Sequence, residues 1–120
     1  MRVLFCGDRN WSDYSCIRQE LEKLPKGSII IEGCAAGADS IAGWLAEQMG
    51  FEVMKFPADW KKYKRAAGPI RNQQMLDEGK PDMVFAFHEN IEISKGTKDM
   101  VTRAEKAGLE VRIFTGIKKS

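Results

Sequence analysis

The sequence predicts an α/β fold in which helices cover both faces of a mainly parallel five-stranded sheet. Short apolar segments rich in branched and aromatic residues alternate with longer amphipathic segments along the chain. Strands that alternate with helices pair in parallel through right-handed crossovers. The run from Met83 to Phe87 is apolar at every position, which is typical of a strand buried on both faces.

Five segments are predicted as strands because they are short, apolar and bounded by turn residues. They are Val3 to Cys6, Ser28 to Ile31, Glu52 to Phe56, Met83 to Phe87, and Val111 to Phe114.

Four helices are predicted between these strands. The first, from Ser12 to Leu24, has its apolar residues at helical spacing, with Ser12 or Asp13 as N-cap and Pro25-Lys26-Gly27 as its stop. The others run from Ala38 to Met49 before Gly50, from Ile70 to Glu78 between Gly68-Pro69 and Gly79, and from Lys98 to Lys106 before Gly108. The end of the chain, Lys118 to Ser120, is expected to fray.

Composition indicates one soluble domain over residues 1–120. The chain is 43% hydrophobic and 30% charged, which excludes intrinsic disorder and fibrous structure. No apolar stretch has the ~18 residues needed to span a bilayer, and the first apolar run ends at Gly7-Asp8, so no membrane partner and a cytoplasmic location are expected. The net charge of +2 neither demands nor excludes a nucleic-acid partner.

The cysteines and the single histidine predict neither a disulfide framework nor a metal site. Cys6, Cys16 and Cys34 are odd in number and lack metal-ligand spacing, so reduced, mostly buried thiols are expected. His88 has no cysteine or carboxylate partner at ligand spacing and belongs to no legible Ser-His-Asp triad. No cofactor is predicted.

Two turns of small residues are candidate phosphate sites. Open parallel sheets bind ligands outside the carboxyl ends of their strands, where the strand order reverses. Gly33 and Gly37 frame Ala35 just before the Ala38 helix, and Gly96-Thr97 precedes the last helix, so backbone amides there favour an anion. Tight packing, or a helix cap by Thr97, is the alternative. The spacing is not that of a Walker A loop, which disfavours ATP hydrolysis of that type.

Charged side chains at the same edge complete the candidate site. Arg9 follows the first strand, and Arg71 with Asn72 opens a helix where its dipole disfavours a cation, which points to a bound anion. Asp39 lies in a first helical turn, where it contacts a ribose hydroxyl or stabilises the helix.

Aromatic and basic residues indicate contact with a base or with nucleic acid. Trp11 and Trp60 lie in loops and either stack on a base or cover an edge of the sheet, whereas Trp44 is predicted to pack. The segment Lys61 to Arg65 interleaves basic residues with Tyr63, which suits single-stranded DNA or a solvated face.

Taken together, these loops resemble the YspA-like (cpYpsA-related) branch of the SLOG superfamily over nearly the whole chain. The motifs are Gly7-Asp8-Arg9-Asn10-Trp11, Glu32-Gly33-Cys34-Ala35-Ala36-Gly37-Ala38-Asp39, Phe56-Pro57-Ala58-Asp59-Trp60, Ala67-Gly68-Pro69-Ile70-Arg71-Asn72 and Lys95-Gly96-Thr97. The resemblance implies a three-layer Rossmann-like sandwich that binds a nucleotide or nucleotide-derived ligand. Relatives include the Lonely Guy phosphoribohydrolases and the single-stranded-DNA-binding DNA-processing protein A, and relatives commonly dimerise, so a homo-oligomer stays open.

The resemblance also assigns roles by position. Gly33, Gly37, Ala38 and Asp39 match the first glycine-rich loop, Gly96-Thr97 matches the second phosphate turn, and Arg71 resembles an arginine of the hydrolases. The hydrolase motif Pro-Gly-Gly-x-Gly-Thr-x-x-Glu is not kept, because Ile93-Ser94 replaces Gly-Gly and Met100 stands at the position of the catalytic glutamate.

The predicted function is therefore nucleotide binding by a sensor or carrier. Its ligand site comprises Gly7, Arg9, Trp11, Gly33, Ala35, Gly37, Ala38, Asp39, Asp59, Trp60, Arg71, Asn72, Gly96 and Thr97. The first alternative is a nucleoside monophosphate phosphoribohydrolase that uses Asp39, Asp59 or Asp99, because N-glycosidic cleavage needs a nearby carboxylate. The second is binding of single-stranded DNA through Lys61 to Arg65.

Overall fold

The computed structural model describes residues 1–116, and the predicted frayed end at Lys118 to Ser120 lies outside them. Five strands form one parallel sheet: β1 (Arg2–Gly7), β2 (Ile29–Glu32), β3 (Glu52–Lys55), β4 (Met83–Phe87) and β5 (Glu110–Phe114). The helices are α1 (Tyr14–Glu22), α2 (Ala38–Gln48), α3 (Trp60–Tyr63), α4 (Ala67–Gly79) and α5 (Gly96–Lys106), with 3₁₀ turns at Lys64–Ala66 and Ile91–Ile93.

The strand order is β3-β2-β1-β4-β5, so the order reverses between β1 and β4. Leu4 of β1 lies beside Ile31 of β2 and Val84 of β4, all in parallel register. The predicted α/β class is confirmed, and every pairing is parallel. The reversal makes the carboxyl ends of β1 and β4 the place where a ligand cleft is expected.

Alternate residues of the buried strands supply two cores, one on each face of the sheet. Phe5, Phe85 and Phe87 pack beneath α1 and α2, where the rings of Phe5 and Phe87 stack at 5.7 Å. Leu4 and Val84 point to the opposite face, beneath α4 and α5, into the cluster that contains Leu4, Cys6, Ile31, Phe56, Met75, Val84, Ala86, Met100, Val101 and Ala104.

Helix ends differ from the prediction where polar side chains and proline decide them. For α1, Asp13, one of the two predicted N-caps, is confirmed: it accepts the Cys16 N–H at 3.1 Å, so the helix begins at Tyr14. The helix α4 begins at Ala67, three residues before the predicted start, since Pro69 fits a first turn that needs no N–H there. It ends with Lys80, not Gly79, in the left-handed cap position at φ 48°.

The region before α4 is also more ordered than predicted. The segment read as a loop contains α3 and the 3₁₀ turn at Lys64–Ala66. Asp59 starts it as the N-cap of α3, accepting the Lys62 N–H at 3.1 Å.

Two predictions about buried side chains are wrong. Trp44 is 57% exposed and meets Tyr14 edge to face at the surface, because it lies on the outer side of α2. Cys34 is exposed while Cys6 is buried and Cys16 is half-buried, and all three thiols are free.

Within residues 1–116, no helix combines the length and the apolar character needed to span a bilayer.

Candidate functional site

A cleft of about 930 Å³ opens at the carboxyl edge of the sheet, where the strand order reverses. It brings together most of the predicted site, namely Gly7, Arg9, Gly33, Ala35, Asp39, Trp60, Arg71, Asn72, Gly96 and Thr97. The other predicted residues, which lie outside its lining, are Trp11, Gly37, Ala38 and Asp59.

The loop between β2 and α2 is held by carboxylates of its own neighbourhood. The N–H of Gly33 donates to Asp39 Oδ2 at 3.0 Å, and the N–H of Cys34 donates to Glu32 Oε1. The first amide of α2, on Ala38, donates to the Asp8 carbonyl at 3.1 Å. Three of the amides expected to receive phosphate are therefore already occupied by protein oxygens.

The small residues at Gly7, Gly37 and Ala38 let this loop pack on the loop after β1. A Cβ at Gly37, where φ is +75°, would overlap the backbone carbonyls of Asp8 and Arg9. A Cβ at Gly7 would overlap the Phe87 carbonyl and lie 2.9 Å from the Ala38 Cβ. Packing of the chain, the alternative raised from the sequence, accounts for these residues.

Asp39 and Arg71 both lie against Gly33 at the wall of the cleft. Asp39 is only 4% exposed, and burial raises its pKa to about 7 against the lowering effect of Arg71, while Glu32 raises it further. Arg71 Nη1 donates to the Gly33 carbonyl, and the guanidinium covers Gly33 so closely that a Cβ there would lie 2.7 Å from Nη1. Glycine at position 33 therefore makes room for Arg71.

The turn before α5 is connected to Arg71 through Asn72. Arg71 Nε donates to Asn72 Oδ1 at 3.1 Å, and Asn72 Nδ2 donates to Asp99 Oδ2 at 3.0 Å and to the Gly96 carbonyl at 3.3 Å. A single helix thus supplies Arg71 to the loop after β2 and Asn72 to the turn before α5.

The N-terminus of α5 opens towards the cleft. A Cβ at Gly96 would meet no atom within 4 Å, so this part of the backbone is open to close approach. The hydroxyl of Ser94 accepts the Thr97 N–H at 3.0 Å. The expected cap by Thr97 is therefore wrong, because Ser94 takes that role.

The three carboxylates considered for catalysis each have another partner. Asp39 accepts the Gly33 N–H, Asp59 caps α3 from an exposed position, and Asp99 accepts from Asn72 and from Arg103 Nε at 2.9 Å. Met100 is 1% exposed and packs in the core beneath α5.

The two candidate stacking tryptophans lie in different environments. Trp60 is 58% exposed and lines the cleft. Trp11 is buried against Phe87, with ring centroids 5.7 Å apart, and its Nε1 donates to the Asp13 carbonyl at 2.9 Å. Trp11 packs on the end of β4 and, with Gly37, lines a second cleft of about 400 Å³, so base stacking on it stays a prediction.

Cys34 also lines the cleft, in a left-handed backbone conformation at φ +60°. Burial and the nearby Glu32 carboxylate raise the pKa of its thiol. The thiol is therefore protonated at neutral pH and is a weak nucleophile.

Sequence reasoning missed His88 as a site residue. His88 Nε2 lies 4.0 Å from Asp8 Oδ2, and both residues line the cleft. The two are distant in the chain, and only the pairing of β1 with β4 brings them together. The signal available in the sequence was their shared position, one residue beyond the end of each strand.

Within residues 1–116, no group of three or more His, Cys, Asp or Glu is arranged to hold a metal ion.

The fold and the cleft define a Rossmann-like α/β protein with a carboxyl-edge binding site. Comparison with known families assigns it further: the profile of the YspA, cpYpsA-related SLOG family matches residues 1–63. The Gene 61 protein of Mycobacterium phage D29 is 36% identical over 122 residues, which cover 94% of this chain and 95% of that protein. The chain belongs to the YspA, cpYpsA-related SLOG family.

A solved structure shares the fold. The X-ray structure of DNA processing protein A from Streptococcus pneumoniae superposes with a TM-score of 0.54 and 16% sequence identity. The superposition covers 95% of this chain and 59% of that one, so the present chain corresponds to part of the longer protein.

Proposed function

We propose that the chain binds a nucleotide or a nucleotide-derived ligand in the carboxyl-edge cleft, as a sensor or carrier. Membership of the SLOG family supports binding of a nucleotide-related or DNA-related partner. The observation that carries the proposal is that Arg71, Gly96 and Trp60 line one cleft. A volume of about 930 Å³ lies within the ~300–1,000 Å³ typical of small-molecule sites.

The phosphate belongs at the N-terminus of α5. This helix has 11 residues, and the dipole and the amides of its first turn favour an anion there. Gly96 leaves its backbone accessible, and Arg71 supplies a positive charge on the same cleft. The loop after β2 is the weaker candidate because the amides of Gly33 and Cys34 already donate to carboxylates.

The base belongs against Trp60. Its exposed indole lines the cleft and offers a flat apolar surface. Stacking of a base on an aromatic side chain contributes about 1–3 kcal/mol and tolerates any base. The proposal therefore names the phosphate and the ring system, and leaves the identity of the base to experiment.

The test is a thermal-shift screen with nucleoside mono-, di- and triphosphates, NAD, ADP-ribose and cyclic nucleotides, followed by calorimetry of each ligand that raises Tm. Gly96→Ala is the decisive variant, because Gly96 lines the cleft and its added methyl group would meet no atom of the chain. It is expected to weaken binding about tenfold or more by displacing the phosphate, while the free energy of unfolding changes by less than about 1 kcal/mol.

Arg71→Gln tests the charge, with Arg18→Gln on the exposed face of α1 as the matched control. Loss of affinity in Arg71→Gln and not in Arg18→Gln is expected. The proposal is wrong if no nucleotide raises Tm, or if Gly96→Ala and Arg71→Gln both bind like the original chain. Chromatography of the incubated ligand separates the roles: intact ligand supports a sensor or carrier, and released base with ribose phosphate would make the chain a phosphoribohydrolase.

Binding of single-stranded DNA is a second candidate, favoured by one specific feature. Lys61, Lys62, Lys64 and Arg65 are exposed on the segment that continues from Trp60. The related fold is that of a protein named for DNA processing. Basic side chains beside an exposed aromatic ring are the usual means of holding a single strand.

Fluorescence anisotropy with a labelled oligonucleotide tests this candidate. Each phosphate neutralised contributes about −0.7 to the slope of log K against log salt for a single strand. The Lys61→Glu, Lys64→Glu double variant should reduce affinity and slope, whereas Lys26→Glu, an exposed lysine after α1, should reduce them little. Because the double variant reverses two charges and Lys26→Glu reverses one, an effect of Lys26→Glu on log K about half that of the double variant would show that any binding follows net charge alone.

A further inference from the structure

The ends of β1 and β4 place a carboxylate and an imidazole side by side in the cleft. Gly7 pairs with Phe87 in the last register position of these two strands, so Asp8 and His88 follow at adjacent positions. Their backbones are fixed, because the Asp8 N–H donates to the Phe87 carbonyl at 2.8 Å and the His88 N–H donates to the Phe114 carbonyl at 2.9 Å.

Hydrogen bonds on the far side of each group determine what faces the cleft. His88 Nδ1 accepts the backbone N–H of Asn90 at 2.9 Å, so the proton of the neutral imidazole is on Nε2. Asp8 Oδ1 accepts the backbone N–H of Asn10 at 2.9 Å, which leaves Oδ2 as the oxygen nearest His88. A donor and an acceptor therefore face each other.

The separation of these two atoms is too long for a direct hydrogen bond. Nε2 and Oδ2 are 4.0 Å apart, whereas an N–H···O bond spans about 2.7–3.2 Å. An oxygen atom placed about 2.8 Å from each fits between them. It must accept from Nε2–H and donate to Oδ2; a water molecule and a hydroxyl group both do this at one atom, and of the two the hydroxyl is the one that a ligand carries. A phosphate oxygen or a carbonyl only accepts, and an ammonium only donates.

We infer that Asp8 and His88 hold a ribose hydroxyl of the ligand, so that the cleft selects ribonucleotides over their 2′,3′-dideoxy forms. This inference rests on the proposed function. His88 is almost fully buried and Asp8 is one-quarter exposed, so the hydroxyl reaches a largely desolvated pair. A hydrogen bond to a charged acceptor in such a position is worth about tenfold or more in affinity.

Calorimetry with the four ribonucleoside triphosphates and their 2′,3′-dideoxy forms tests the inference. The original chain should bind the ribose forms about tenfold or more tightly. Asp8→Asn keeps an acceptor for Asn10 and removes the acceptor for the hydroxyl. His88→Asn keeps an acceptor for Asn90, and its shorter side chain takes the donor away from the position of Nε2. Each variant should bring the ratio of the two affinities close to one.

A control variant and the sign of the charge change distinguish the hydroxyl contact from a general effect of charge on nucleotide affinity. Asp77→Asn makes the same change on the outer side of α4, where Asp77 accepts from Gln73, and should leave the ratio unchanged. Removing a negative charge from the cleft strengthens the binding of every anion. A loss confined to the ribose forms in Asp8→Asn therefore reports the hydroxyl contact.

The possible results distinguish failure of the ribose contact from failure of nucleotide binding. Equal binding of ribose and dideoxy forms by the original chain would overturn the inference and leave nucleotide binding standing. Selectivity that persists in both Asp8→Asn and His88→Asn would also overturn it, because the hydroxyl is then held elsewhere. If neither form binds, the proposed function fails and the inference fails with it. His88→Asn serves as the independent variant if Asp8→Asn does not fold.

Discussion

The loop after β2 and the turn before α5 have similar sequences and opposite uses of their small residues. Gly33 makes room for Arg71, and Gly37 makes room for the loop after β1. Gly96 has no atom within 4 Å of the position that a Cβ would occupy. Glycine in the first loop is therefore required by the chain itself, whereas a side chain at position 96 would meet open space.

The amides of the two regions differ in the same way. In the first loop, the N–H groups of Gly33 and Cys34 donate to the buried carboxylates of Asp39 and Glu32. In the second turn, a neutral hydroxyl of Ser94 accepts the Thr97 N–H. Each region also has a charged side chain beside it: Arg71 donates to the Gly33 carbonyl in the first, and Asp99 shares Asn72 with the Gly96 carbonyl in the second. Two glycine turns at one sheet edge thus have different electrostatic environments.

The largest expected effect is a loss of stability on substitution in the loop after β2. Gly37→Ala places a Cβ into the carbonyls of Asp8 and Arg9 at a positive φ, and should cost about 3 kcal/mol or more of unfolding free energy. Urea denaturation measures it. Gly96→Ala is the matched control and should change stability by less than about 1 kcal/mol. Equal, small losses in both variants would contradict the distinction between the two regions.

The next prediction concerns the buried charge of the first region. Asp39 has a pKa of about 7 in the folded protein against an ordinary value of 3.8. Between these values the folded state binds more protons than the unfolded chain, so Asp39 makes the free energy of unfolding fall as pH rises. Asp39→Asn keeps an acceptor for the Gly33 N–H and removes this titration.

The stability of Asp39→Asn relative to the original chain should therefore increase from pH 5 to pH 8, by about 2–3 kcal/mol. Arg71 stays charged throughout, and its attraction for ionised Asp39 is already contained in the pKa of about 7. Urea denaturation at several pH values provides the measurement. A difference that does not change with pH would mean that Asp39 is ionised at pH 5 in the folded protein.

The fold was predictable because each strand and helix carries its own pattern. The continuous apolar run from Met83 to Phe87 and the repeated strand-helix alternation predict a parallel sheet, and the structure confirms it. Local signals were weaker at α3, where Lys61 and Lys62 form part of a single helical turn begun by the Asp59 cap. A turn this short has no amphipathic period to detect.

The sequence predicts which loops meet at the cleft, but it does not predict which side chains in those loops contact each other. The carboxyl-edge rule brought Arg71, Asn72 and Gly96 to one cleft. It could not distinguish glycines that make room for the chain from a glycine that makes room for a ligand, because that depends on neighbours distant in sequence. The contacts of Trp11 and His88 were unpredictable for the same reason: one packs on Phe87, and the other meets Asp8 across two strands.

The smallest expected effect is a change of stability on substitution in the turn before α5. Ser94→Ala removes the acceptor of the Thr97 N–H and should cost about 1 kcal/mol of stability, the usual value of a helix cap. Ser12→Ala, which alters an exposed serine before α1, is the control and should cost less. Because Ser94→Ala also releases an amide at the N-terminus of α5, nucleotide affinity should stay equal or rise. Urea denaturation measures the change. A loss of more than about 2 kcal/mol in the free energy of unfolding would show that the turn before α5 contributes as much to stability as the loop after β2. An accompanying loss of nucleotide affinity would mean that the Ser94 hydroxyl itself contacts the ligand.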